Sequence, residues 1–339
     1  ANARAIARMI GSERVGLVHA RSRAPAWSAL LAARRMRVPF VTTYHGAYRE
    51  TNKAKRLYNG VMARGDMVIA NSAFTANLIA QRYGTPAERI VVIHRGVDTR
   101  RFDPAAIAPE RISALRRAWG IDASTAVVLL AGRLTAWKGQ RVLIEAASRL
   151  KQAGQLAGAT VVLAGDAQGR HGYVSELQRQ VADAGLGGDI HFAGHVEDVP
   201  AAFLTAHVAV VASTEPEAFG RVAIEAAAMG CPVIATAIGA PPETVVTDGE
   251  NATGWLVPPG DAQALSRTLS QALALDTAAR AAMGARARRH VLAQFTVEAL
   301  QQRTLAVYDT LLATTLGRRF AETSASTQES PSLGSRGPA

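Results

Sequence analysis

The chain has 339 residues, 48% of them hydrophobic but only 5% aromatic. That is enough Ala, Val, Leu and Ile for two ordinary domains, and it excludes bulk disorder, a collagen-like fibre and a small disulfide-stapled fold. The formal net charge of +11 is uneven: residues 1–120 hold 21 Lys/Arg against 7 Asp/Glu, whereas residues 121–339 hold 17 against 20.

In chain order, Ala1–Ile10 reads as a helix. Apolar strand patterns follow at Gly16–His19, Pro39–Thr43, Met67–Ala70 and Ile90–Ile93, then at Val127–Ala131, Thr160–Ala164, Ile190–Ala193, Val208–Val211, Pro232–Ala235 and Gly254–Val257. Several are rich in β-branched residues without polar/apolar alternation, as strands of a parallel sheet covered on both faces require. Helical periodicity separates them at Arg141–Ala153, Val174–Ala184, Phe219–Met229 and Ala262–Ala274, and a longer pattern spans Phe295–Leu316. This βαβα rhythm predicts an α/β protein with two Rossmann-like parallel sheets. The break between domains is expected in Arg95–Asp122, with residues 1–110 in the first domain and 111–295 in the second. Residues 296–320 form a C-terminal helix, and the Ser-, Thr-, Gly- and Pro-rich residues 321–339 are expected to be disordered.

Ligands of open parallel sheets bind outside the carboxyl ends of the strands. One such end is Gly132-Arg133, with Lys138-Gly139 closing the loop; an Arg fork and a mobile ammonium suit a diphosphate. A second is the loop after Val208–Val211, where Glu217 precedes Phe219 and Gly220 at a helix start and Glu225 lies inside the helix. Carboxylates accept from vicinal sugar hydroxyls, and a helix start holds anions. The alternatives are a capping role for Glu217 and a solvated surface role for Glu225. Val196, after a further strand, offers backbone groups to a base. His45 follows the strand at Pro39–Thr43 and can meet a substrate hydroxyl or satisfy loop backbone groups. The histidines lack HxH or HExxH spacing and there is no Asp-x-Asp pair, so no metal is expected. No GxGxxG fingerprint in strand–turn–helix order supports a nicotinamide cofactor.

Together, Gly132-Arg133…Lys138-Gly139, Glu217-x7-Glu225 within Glu-Ala-Phe-Gly…Ile-Glu-Ala-Ala-Ala-Met-Gly, His45, and Gly96-Val97-Asp98…Phe102 resemble the retaining glycosyltransferases of family 4 over roughly residues 15–315. The resemblance implies the GT-B fold, two Rossmann-like domains facing across a cleft, with the C-terminal helix returning to the first. It implies a diphosphate clamp at Arg133 and Lys138, a ribose acceptor at Glu225, a grip on the transferred sugar at Glu217, and a donor-sugar contact at His45. Gly132, Val196, Phe219 and Gly220 complete the expected donor-binding set. Family members open with a strand and a Gly-rich loop, and this chain starts beyond that point, so its first domain is expected to be N-terminally incomplete.

The implied activity is metal-independent, retaining transfer of a hexose from a UDP- or GDP-sugar co-substrate to a glycan or glycolipid acceptor, as in lipopolysaccharide or other surface-polysaccharide synthesis. No further cofactor is expected. Arg34, Arg35 and Arg37, and Arg49, Lys53, Lys55 and Arg56, form two basic clusters in the first domain. They suit an anionic lipid surface, expected to be the inner membrane approached from the cytoplasm, or a phosphorylated glycolipid acceptor. Nucleic acid is not an expected partner, since no helix-turn-helix, RNA-recognition or aromatic stacking motif is present. No stretch approaches roughly 18 uninterrupted apolar residues, so no transmembrane anchor is expected. The competing readings are a non-catalytic nucleotide-sugar-binding fragment and a sugar-nucleotide epimerase of the same fold.

Overall fold

The computed structural model describes residues 1–48 and 50–329. Arg49 of the second basic cluster and residues 330–339 of the expected tail lie outside the described residues. The elements begin with α1 (Asn2–Ser12), β1 (Val18–Ala20), α2 (Arg23–Met36), β2 (Phe40–Tyr44), α3 (Lys53–Asn59), β3 (Met67–Ala70), α4 (Ala73–Tyr83) and β4 (Ile90–Val92). Next come α5 (Pro109–Ala118), β5 (Ala126–Ala131), α6 (Gln140–Gln152), β6 (Ala159–Ala164), α7 (His171–Asp183), β7 (Ile190–Gly194), α8 (Val199–Thr205) and β8 (Val208–Val211). The chain continues through α9 (Arg221–Ala228), β9 (Val233–Thr236), α10 (Pro241–Thr244), β10 (Gly254–Val257), α11 (Ala262–Leu273) and α12 (Thr277–Gln294). It ends with α13 (Val297–Leu312) and α14 (Leu316–Glu329). Every strand lies within two residues of its sequence pattern, because fully buried apolar runs leave little choice of position.

Two compact units result. The first holds Ala1–Asn71, Ile79–His94 and the residues from Val297 onward; the second holds Ser72–Leu78 and Arg95–Thr296.

In the first unit, four parallel strands pair in the order β1-β2-β3-β4. One face buries Val41, Ile69 and Ile93 against Val307, Leu300 and Leu311 of α13. Ala7 and Ile10 of α1 meet Ala32 of α2 in a smaller cluster. His19 of β1 ties the sheet to α13: its Nδ1 lies 2.6 Å from the Tyr308 hydroxyl and its Nε2 2.6 Å from Thr43 Oγ1. Burial, then the nearby Arg21, lowers its pKa to about 4, so the ring is neutral at pH 7.

In the second unit six parallel strands run β10-β9-β8-β5-β6-β7. The order reverses between β5 and β8, which is the switch point of a doubly wound sheet. Alternate residues of β5 feed opposite layers: Val127 and Leu129 join one core cluster, Val128 and Leu130 the other. Each such fully buried Val or Leu contributes roughly 1.5–3 kcal/mol, more than any exposed ion pair here can.

The stretch Arg95–Asp122, where the break is expected, lies in the second unit and contains α5. Two expectations change. The periodicity of Phe295–Leu316 is broken at its start: Phe295 is 1% exposed, its carbonyl accepts from Val97 N at 2.8 Å, and Thr296 bridges Val97. Tertiary pairing there overrides local helical preference. Residues 321–329, expected as tail, belong to α14. The start of that helix is capped from a distance by Asp309, whose Oδ1 accepts from Leu316 N at 2.6 Å and Oδ2 from Gly317 N at 2.8 Å.

Candidate active site

The loops after β5 and β8 flank the switch point of the second sheet, and the candidate residues lie on them. Glycine shapes the floor. Gly132 N donates to Ala164 O at 2.8 Å, and Gly165 N to Gly194 O at 2.7 Å. A Cβ on Gly165 would stand 1.8 Å from the Gly132 carbonyl oxygen, so no other residue fits. The three strand ends therefore close onto one another and leave a cleft of about 320 Å³ beside them. Val196, Val199 and Phe203 give it apolar walls; Arg133, Asp166 and Glu225 give it charge.

Arg133 is exposed, and its guanidinium has no carboxylate partner among the described residues. Its backbone is pinned instead: Gln140 Nε2 donates to Arg133 O at 3.0 Å, and the Tyr173 hydroxyl donates to Gln140 Oε1 at 3.1 Å. Burial raises the Tyr173 pKa above its ordinary value and keeps that proton in place.

Lys138 lies over Gly132, where an added Cβ would come within 3.9 Å of its Cδ and Cε. Its Nζ sits 4.4 Å from the centre of the Trp137 ring and 2.7 Å from Glu217 Oε1. Both side chains are largely buried, at 14% and 9% exposure. Ser213 Oγ donates to the same Oε1. The diphosphate-clamp candidate and the sugar-grip candidate are thus an ion pair. An ammonium has three donors and a carboxylate two oxygens, so the pair keeps hydrogen-bonding capacity on both sides.

Glu217 is held by its backbone as well. Ala240 N donates to Glu217 O at 3.0 Å, and Gly239, at φ +79°, passes so close that a Cβ would stand 2.4 Å from that oxygen. Gly220, at φ +74°, is the N-cap of α9; an added Cβ there would lie 3.7 Å from Glu217 Oε2. No side chain caps α9; Ala223 N donates to Gly220 O at 3.1 Å, which leaves the N–H groups of Arg221 and Val222 and the positive end of the helix dipole beside Glu217. Inside α9, Glu225 is 9% exposed, not a solvated surface residue, and its Oε1 accepts from Arg221 Nη2 at 2.6 Å and Nε at 3.0 Å.

Gly132, Arg133, Val196 and Glu225 thus line one cleft. Lys138, Glu217 and Gly220 adjoin it through Gly132 and the start of α9. Phe219 does not line it. Its ring is 3% exposed and lies 6.1 Å from that of Phe295, in the core under the loop. His45 belongs to the first unit, immediately after β2, where its carbonyl accepts from Asn71 Nδ2 at 3.4 Å. Ser213, Gln140 and Arg221 were not singled out from the sequence. A buried Gln in the first turn after Lys138-Gly139 was a usable signal, since buried amides need partners. Among the described residues, no group of three or more His, Cys, Asp and Glu side chains can hold a metal ion.

Residues 112–290 match the family described as Glycosyl transferases group 1, and residues 1–101 match Glycosyltransferase Family 4. The chain belongs to the group 1 glycosyl transferases. Among curated relatives, the chain is 34% identical over 284 residues to the D-inositol 3-phosphate glycosyltransferase of Salinispora arenicola, covering 77% of this chain and 61% of that one. It therefore spans about three fifths of that relative's length. It is 31% identical over 279 residues to the lipopolysaccharide core biosynthesis mannosyltransferase LpsB of Rhizobium meliloti, covering 82% and 74% of the two chains. A glycosyltransferase structure from Rickettsia africae superposes with a TM-score of 0.84 at 34% identity, over 93% of this chain and 81% of that one. HepE of Anabaena, solved with UDP-glucose, superposes at 0.78 with 28% identity, over 91% and 82%. The two parallel-sheet units of the chain are those of the GT-B fold.

Proposed function

We propose that the protein moves a hexose from a UDP- or GDP-sugar to a glycan or glycolipid acceptor with retention at the anomeric carbon. The observation that carries this reading is the Lys138–Glu217 pair at the switch point, beside a cleft lined by Arg133 and Glu225. In this reading the base lies against Val196 and Phe203, Glu225 accepts from the ribose hydroxyls, and Glu217 accepts from the hydroxyls of the transferred sugar.

During transfer the bond from the anomeric carbon to the diphosphate oxygen breaks while a bond to the acceptor oxygen forms on the same face. The acceptor's proton passes to the departing diphosphate. Negative charge grows on that leaving group, and Arg133, Lys138 and the open N–H groups of α9 stabilise it more in the transition state than in the ground state. The two cations supply the neutralisation, so no metal ion is part of the scheme. His45 serves the donor sugar and the acceptor side.

The name of one relative, the lipopolysaccharide core biosynthesis mannosyltransferase LpsB, supports a place in surface-glycan synthesis. The basic first unit supports contact with an anionic membrane surface. No helix among the described residues is long and apolar enough to cross a membrane, so such contact would be peripheral.

The test is release of labelled sugar from a panel of UDP- and GDP-hexoses, with and without acceptor extract. Acceptor-dependent release with the anomeric configuration kept is the expected result. Binding of the nucleotide sugar without any transfer would leave only a binding module.

A further inference from the structure

Glu217 stands in the loop between β8 and α9, and a carboxylate on a loop keeps its aim only where the backbone beneath it is fixed. The two carbonyls that follow its Cα are both held. Glu217 O accepts from Ala240 N at 3.0 Å, and Ala218 O accepts from two hydroxyls, Ser72 Oγ at 2.7 Å and Thr75 Oγ1 at 3.3 Å. A carbonyl oxygen has two lone pairs, so one acceptor serves both donors. Ser72 and Thr75 are 0% and 1% exposed, and they lie 146 and 143 positions before Ala218.

The two hydroxyls are themselves placed by the start of α4, which belongs to the second unit through Ser72–Leu78. Ser72 Oγ accepts from Thr75 N at 3.0 Å, as an N-cap does. The Glu243 carboxylate accepts from the next two amides, Ala73 N at Oε2 (2.7 Å) and Phe74 N at Oε1 (2.8 Å). Glu243 lies on α10, just after Gly239, which bridges Glu217, and Ala240, which bonds to it. One short segment, residues 239–243, therefore grips both α4 and Glu217, and the Ser72 and Thr75 hydroxyls close the ring between them.

We propose that Ser72 and Thr75 are positioning residues: through Ala218 they fix the peptide that aims Glu217. Neither lines the cleft. The fixing of the loop stands on these bonds alone, whereas its effect on turnover rests on the reading of Glu217 as the group that grips the transferred sugar.

Three variants of the full chain are compared with wild type: Ser72→Ala/Thr75→Val, without either hydroxyl; Ser72→Ala, which loses the same cap but keeps the Thr75 hydroxyl; and Thr75→Ser, which keeps both. Hydrogen exchange of peptides covering residues 215–220 should rise in the double variant, while β5 and the whole of Thr75→Ser stay at the wild-type level. In transfer from UDP-glucose or GDP-mannose, kcat should fall at least about tenfold in the double variant, the worth of two hydrogen bonds, and less in Ser72→Ala. Calorimetric affinity for UDP and GDP should be the same in all four proteins, because the nucleotide contacts lie elsewhere. Wild-type exchange or wild-type turnover in the double variant overturns the proposal. So does a turnover loss equal in Ser72→Ala and the double variant, or one matched by lost nucleotide affinity. A wild-type chain that neither binds UDP or GDP nor transfers sugar defeats the donor reading alone, and exchange still decides the role of the two hydroxyls.

Discussion

The two sheets use the same kind of buried parallel strand, yet they organise charge differently. In the first unit the four described strands pair in sequence order, without a reversal, and the cations gather on the helices and turns around the sheet. In the second the order reverses between β5 and β8, so two loops far apart in sequence end side by side. Lys138 and Glu217, 79 positions apart, meet there at 2.7 Å. A reversal in strand order converts separated residues into a buried, mutually oriented pair; sheet edges and helices alone give exposed charge. The contrast predicts where substitutions cost chemistry and where they cost almost nothing.

The largest effect is expected at the buried pair. Lys138→Ala should lower turnover by about 10²–10³, the usual loss for one preorganised donor. It should also destabilise the second unit by roughly 3–5 kcal/mol, because Glu217 is left buried without its counter-charge. The double variant Lys138→Gln/Glu217→Gln should recover much of that stability, read by denaturant unfolding, but none of the turnover. Recovery of turnover would break the distinction drawn between the sheets.

The first unit should show its own signature in acid. His19 takes up its proton near pH 4 when folded but near 6.5 when unfolded. Between those values the unfolded chain binds more protons, so the contribution is complete above about pH 6.5 and is lost as pH falls toward 4, by about 3 kcal/mol. Unfolding by circular dichroism across that range should be steep for the wild type and flatter for His19→Asn. An unchanged slope would contradict the buried neutral ring between Tyr308 and Thr43.

Smaller effects sharpen the comparison. Glu225→Gln should weaken nucleotide binding about tenfold, the loss of one charged acceptor, with the fold intact. At the bottom of the scale, Arg34→Ala removes an exposed pair with Asp66 at 3.6 Å in the first unit. It should change stability by no more than about 0.5 kcal/mol and leave nucleotide affinity unchanged.

Much of this was legible from residue order. The strands could be placed because a buried run such as Val127–Ala131 has one plausible conformation, and Gly132-Arg133 and Glu217-x7-Glu225 mark strand ends by their chemistry. What residue order does not carry is tertiary. Nothing local says that Lys138 and Glu217 neutralise each other, or that Ser213 shares the carboxylate. Phe219, inside the motif, turns into the core to meet Phe295 because the loop needs an apolar anchor. The tail from residue 321 looks unable to form a helix until Asp309 caps α14 from the preceding helix.

The measurement closest to the central claim is calorimetric titration of UDP and GDP, in a chelator, against wild type and Arg133→Ala. Arg133 is exposed and lines the cleft without a carboxylate partner, so its loss should spare the fold and weaken the preferred nucleotide by at least about tenfold, with no dependence on the chelator. Equal affinity in the two proteins would mean that a nucleotide diphosphate does not sit at the β5–β8 switch point.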